Sequence, residues 1–68
     1  MTLNELIRDC YTDLLRFSKS IVKTETNARD LITECYLDLI ERKKEYPKKP
    51  KDFKKWMFRY IQLHSMAA

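Results

Sequence analysis

The side chains that could do covalent or metal chemistry in this 68-residue chain are few. Cys10 and Cys35 lie far apart, and with His64 as the one histidine they do not form a zinc-binding spacing. Both fall on apolar positions of a helical pattern, which suits buried free thiols acting as small apolar residues. His64 falls near the end of the third helical segment, where a protonated imidazole would complement the helix dipole. No nucleophile or carboxylate stands at a fixed sequence spacing from it, so acid–base catalysis is not expected. Asp30, Glu34 and Asp38 recur at four-residue steps, a spacing that can bind divalent cations. They point away from the apolar side of their segment, and no second segment supplies further ligands. The chain has no glycine, which excludes glycine-cradled phosphate loops. The expectation is a binding module rather than an enzyme, with no metal or cofactor.

Two surfaces carry the recognition chemistry. On a wheel of ~100° per residue, the apolar positions of the second segment cluster around Leu39. The opposite side holds Asp30, Glu34, Asp38 and Glu41 with Leu37 set among them. A solvated face usually mixes signs; an apolar anchor among like charges is how a small interface is built. The second surface is KDFKKWMFRYIQ, which interleaves Lys51, Lys54, Lys55 and Arg59 with Phe53, Trp56, Phe58 and Tyr60. Cations that neutralise phosphates, beside rings on which bases stack, suit single-stranded nucleic acid. The spacing of Phe53, Trp56 and Tyr60 also suits a helix core, so most of these rings are expected to be at least partly buried, which leaves Phe58 and one or two others as candidates for bases.

These surfaces need elements to hold them. The chain is long enough for one domain, and a domain of this size buries only about 60% of its unfolded surface. Apolar residues at 44%, charged residues at 35% and only two prolines make an all-α composition. Leu3, Leu6, Ile7, Cys10, Tyr11, Leu14, Phe17 (with Ser18) and Ile21 keep the three-and-four spacing of a helix over 3–22. Thr2 and Glu5 form a capping box at its start. Ala28, Leu31, Ile32, Cys35, Tyr36, Leu39 and Ile40 predict a second helix over 28–44, capped by Asn27. Residues 45–52 (EYPKKPKD) form a basic linker, Asp52 caps the third helix, and that helix runs over 53–65. The expected fold is two antiparallel helices joined by a short turn, with a third helix crossing them. No repeat, signal peptide or apolar run near ~18 residues is present, so a cytoplasmic protein is expected.

The net charge of +4 hides an asymmetry. Residues 1–42 carry six Lys/Arg and eight Asp/Glu, or −2, whereas residues 43–68 carry eight and two, or +6. One part suits a basic partner and the other a polyanion.

The order YTDLLRFSKSIV, NARDLITECYLDLIER, then DFKKWMFRYI resembles the second conserved region of bacterial sigma factors of the sigma-70 family, especially the small extracytoplasmic-function type. Those proteins show Tyr-x-x-Leu-x-x-Phe-Ala in a first helix, matched by Tyr11, Leu14, Phe17 and Ser18. They show Ala-Glu-Asp-Leu-Val-Gln-Glu in a second, matched by the run from Ala28 to Glu34. A third opens Phe-x-x-Trp-Leu-Phe-Arg, matched by Phe53, Trp56, Met57, Phe58 and Arg59. The likeness extends from about Leu6 to Ile61. It implies that the second helix docks on the clamp-helix coiled coil of the RNA polymerase β′ subunit through Asp30, Thr33, Glu34 and Leu37; Asp38 and Glu41 belong to the same face on the wheel. It implies further that the loop and third helix hold the melted −10 promoter strand through the Lys48–Lys55 stretch, Trp56, Arg59 and Tyr60. Within that surface the candidate DNA contacts are Lys48, Lys49, Lys51, Lys54, Lys55, Trp56, Phe58, Arg59 and Tyr60. The chain departs from the pattern at Arg29, where the family has an acid, at Thr33 for glutamine, and at Gln62 and Leu63 for an Arg-Asn pair. Polymerase docking is therefore the more strongly implied role, and promoter recognition the less.

Two rival readings belong to other classes. One is a sequence-indifferent binder of single-stranded nucleic acid, using the basic loop and the rings. The other is a small helical structural or assembly protein, in which the Leu37 face is an oligomer contact.

Overall fold

The computed structural model describes residues 2–43 and 45–66. It is an all-helical domain of three helices, α1 (Leu3–Val22), α2 (Glu25–Glu41) and α3 (Pro50–Met66). The start of α1 is the expected capping box. The Thr2 hydroxyl accepts the Glu5 backbone N–H, and the Glu5 carboxylate accepts the Thr2 N–H at 3.1 Å. The Thr2 N–H and the Thr2 hydroxyl both donate to the Glu5 carboxylate and hold its carboxyl below its ordinary range. Inside α1, Cys10 leaves helical geometry (φ −115°, ψ 15°), and its thiol donates to the Leu6 carbonyl at 3.2 Å. A side chain bonded back to the carbonyl four residues earlier bends helices in this way.

The chain turns from α1 to α2 through Lys23 and Thr24 alone. Lys23 adopts the left-handed conformation (φ 69°) and donates its N–H to the Lys19 carbonyl at 2.8 Å. This is the C-terminal arrangement that usually uses glycine. The expected cap at Asn27 is corrected to Thr24, whose hydroxyl accepts the Asn27 N–H at 3.2 Å. Helix α2 therefore begins one turn earlier than its apolar pattern predicts, and it ends at Glu41. The expected end at Lys44 lies outside the described residues. The expected Asp52 cap is corrected as well. Helix α3 opens at Pro50, Asp52 lies inside its first turn, and the Phe53 N–H already bonds the Lys49 carbonyl. Proline suits a first helical position because it has no N–H to leave unpaired. Among the described residues the linker is thus shifted toward α2, to 42–43 and 45–49.

Side-chain pairs define the topology. Tyr36 of α2 donates its hydroxyl to Asn4 at the start of α1, so α2 runs back along α1. Lys54 meets Asp13, and Phe58 stacks on Phe17 with centroids 4.8 Å apart, so α3 runs along α1 in the same direction. Tyr60 meets Asp38, and His64 meets Glu34, so α3 runs opposite to α2. The core between them holds Leu6, Leu14, Leu39, Phe53, Met57 and Ile61, each at most 2% exposed. Both thiols sit in the same cluster, unpaired. Burial pushes the Cys35 thiol up to about 12 and raises that of Cys10. Ser18 is wholly buried, and its hydroxyl has no hydrogen-bond partner among the described residues.

Candidate functional site

Helix α2 packs Ala28, Leu31, Ile32, Cys35 and Leu39 inward, and this directs its opposite side outward. Asp30, Thr33, Glu34, Leu37 and Glu41 are all exposed there. Leu37 is 46% exposed. The fold therefore brings five of the six expected docking residues onto one free surface. The sixth, Asp38, is a correction. It is half-buried at the α2–α3 seam, accepts the Tyr60 hydroxyl, and pairs with Arg42 at 2.8 Å. It is a structural carboxylate rather than an open contact.

Ile40 is a second correction. Expected on the core side, it is 48% exposed. It stands three residues beyond Leu37, and residues at that step are neighbours on a helix surface. The apolar feature is thus a Leu37–Ile40 pair. At ~100° per residue, Asp30, Glu34 and Glu41 line one flank of Leu37, while Thr33 and Ile40 line the other. Ile40 follows Leu39 in the apolar helical pattern, but the ~100° step between them carries it out of the core. No carboxylate stands at a fixed sequence spacing from His64, and the fold brings its Nε2 to 3.5 Å from Glu34. That pairing crosses two helices and has no signature in local spacing. Glu34 remains 64% exposed beside it.

The second surface is divided. Phe53 is core. Trp56 and Tyr60 are half-buried and stack on each other, centroids 5.1 Å apart and planes 19° apart. Phe58, expected among the rings left for a base, is half-buried on Phe17. Lys54 is likewise drawn off, bonding Asp13 at 3.2 Å. Lys48, Lys49, Lys51, Lys55 and Arg59 are exposed, and the Lys48 ammonium lies 3.5 Å from the centre of the Tyr46 ring. The accessible part is thus a band of cations beside the Trp56–Tyr60 stack.

Among the described residues, no three His, Cys, Asp or Glu side chains gather where a metal ion could sit. Among them, too, no helix is long and apolar enough to cross a membrane. No family model, curated protein or solved structure matches the chain.

Proposed function

We propose that this chain is a sigma-like transcription protein that docks on the clamp helices of the RNA polymerase β′ subunit through the outer face of α2. The observation that supports this reading is the exposed Leu37 among Asp30, Glu34 and Glu41, held outward because the other side of α2 builds the core. An apolar anchor supplies the buried centre of a contact, and acids beside it select and orient a basic partner. Thr33 is the polar neighbour on the opposite flank. The acids that matter are Asp30, Glu34 and Glu41, since Asp38 is engaged within the fold.

In the same reading, the cation band and the Trp56–Tyr60 stack face the melted −10 strand. Exposed lysines and Arg59 meet phosphates, and the edge of the stack offers a surface to an unpaired base. One cation, Lys54, and two rings, Phe53 and Phe58, have inward duties, which supports docking as the principal role and strand contact as the lesser one.

Binding of the purified chain to an isolated β′ clamp-helix coiled coil tests the proposal. Asp30→Lys and Leu37→Asp should each weaken it by about thirtyfold or more, the loss expected when a central anchor or close charge pair is removed. Both side chains are exposed, so both variants keep the helical signal of the parent. If both bind as the parent does, the docking assignment is wrong. Polymerase-independent, salt-sensitive binding of single-stranded DNA would instead favour the nucleic-acid reading.

A further inference from the structure

The outward faces of α2 and α3 carry matched patterns. Along α2, two acids four residues apart, Asp30 and Glu34, are followed by two apolar side chains three residues apart, Leu37 and Ile40. Along α3, two cations four residues apart, Lys55 and Arg59, are followed by Leu63 and Met66, again three apart. All eight are exposed; Leu63 is 54% and Met66 73% exposed. Laid parallel, the two helices set Asp30 against Lys55 and Glu34 against Arg59, and, with a slip of one residue or about 1.5 Å, Leu37 against Leu63 and Ile40 against Met66. Residues three and four apart on a helix share one face, so each set of four forms a single stripe.

Within one molecule this register is out of reach. The chain's own α3 runs opposite to α2, with Tyr60 at Asp38 and His64 at Glu34. Both stripes turn away from the shared core, because α2 buries Leu31, Cys35 and Leu39 while α3 buries Phe53, Met57 and Ile61. Apart from the 3.5 Å contact of His64 with Glu34, which leaves Glu34 64% exposed, each stripe is open to a different molecule.

We propose that the outer stripe of α3 docks on the outer face of α2 of a second copy of this chain, with the two helices parallel. The contact is head-to-tail: each copy offers one donor stripe and one acceptor face, so it extends beyond a dimer unless it closes into a ring. Charge complementarity carries the choice of occupant. The acceptor belongs to the half of the chain with net −2 and the donor to the half with net +6. Asp52 is the one acid on the outer side of α3, and it lies before the matched stretch. The proposal uses the same α2 face as polymerase docking but does not rest on that reading, and its test contains no polymerase.

The test uses two variants of the full chain, Asp30→Lys/Glu34→Lys and Lys55→Glu/Arg59→Glu, in sedimentation equilibrium up to about 1 mM, where even weak contacts are populated. All four positions are exposed, and circular dichroism confirms that both variants are folded. The parent should grow in mass with concentration. Each variant alone should remain a monomer. Their equimolar mixture should recover the parent's growth in mass, because the unchanged donor of one variant meets the unchanged acceptor of the other and the two reversed stripes are again opposite in charge. A parent that stays monomeric throughout would overturn the proposal. So would a mixture that stays monomeric, or a single variant that associates as the parent does, which would point to a symmetric contact elsewhere.

Discussion

The outer face of α2 and the aromatic, basic start of α3 look equally interactive in sequence, yet the fold uses them differently. On α2 the recognition residues and the packing residues are separate: Leu37, Asp30 and Glu41 face outward while Leu31, Cys35 and Leu39 fill the core. On α3 the two sets overlap. Phe53 is core, Phe58 leans on α1, Tyr60 bonds Asp38, and Lys54 bonds Asp13. A domain of this size lacks enough aliphatic volume to spare its rings for other work. A charged face is free to bind when another side of its helix supplies the packing, and a ring-rich face is not.

That contrast can be broken by truncation. Phe53→Ala should remove about 3–5 kcal/mol of stability, enough to unfold much of a small domain whose total is itself marginal. Leu37→Ala should change stability by less than about 0.5 kcal/mol. Chemical denaturation of both variants measures the difference, and equal losses would mean that α2 has no separate outer face.

A finer test sits at the seam. Tyr60→Phe removes the hydroxyl that Asp38 accepts and should cost about 1–2 kcal/mol, since the acceptor is a half-buried carboxylate. In a double-mutant cycle with Asp38→Asn the two effects should not add. Additive losses would return Asp38 to the outer face.

Helix α1, which both regions pack against, supplies a change of opposite sign. Ser18→Ala should raise stability by about 1 kcal/mol, because a buried hydroxyl without a partner among the described residues is replaced by an apolar group. The thermal midpoint reads this directly, and a fall would show that the hydroxyl is satisfied. The smallest effect belongs to the Lys54–Asp13 pair, in which the side chains are 40% and 49% exposed. Lys54→Ala should cost less than about 1 kcal/mol and lose its effect in high salt. Lys55→Ala should cost nothing measurable.

Much of the fold is readable in the residues alone. The three helices and the Thr2–Glu5 box depend on spacings of three and four within one segment, and the sequence displays those directly. The misread boundaries share a cause: several residues competed for one role. Thr24 and Asn27 both suit a helix start, and the earlier one caps because its hydroxyl can accept the later one's N–H. Pro50 and Asp52 compete in the same way, and proline opens the helix without needing a cap for its own nitrogen. The site was legible where burial follows from periodicity, as at Leu37. It was not legible where a partner comes from a distant segment. Phe17 under Phe58, Tyr60 at Asp38 and His64 at Glu34 are tertiary pairings that periodicity within a single helix does not encode.

The two core thiols turn the molecule into its own chemical clock. Alkylating reagents attack the thiolate, and burial keeps both sulfurs protonated and covered near neutral pH. Labelling therefore waits for the bundle to open, and with excess reagent its rate becomes the rate of opening. Ligands that clasp the outside would slow that clock without ever approaching either sulfur.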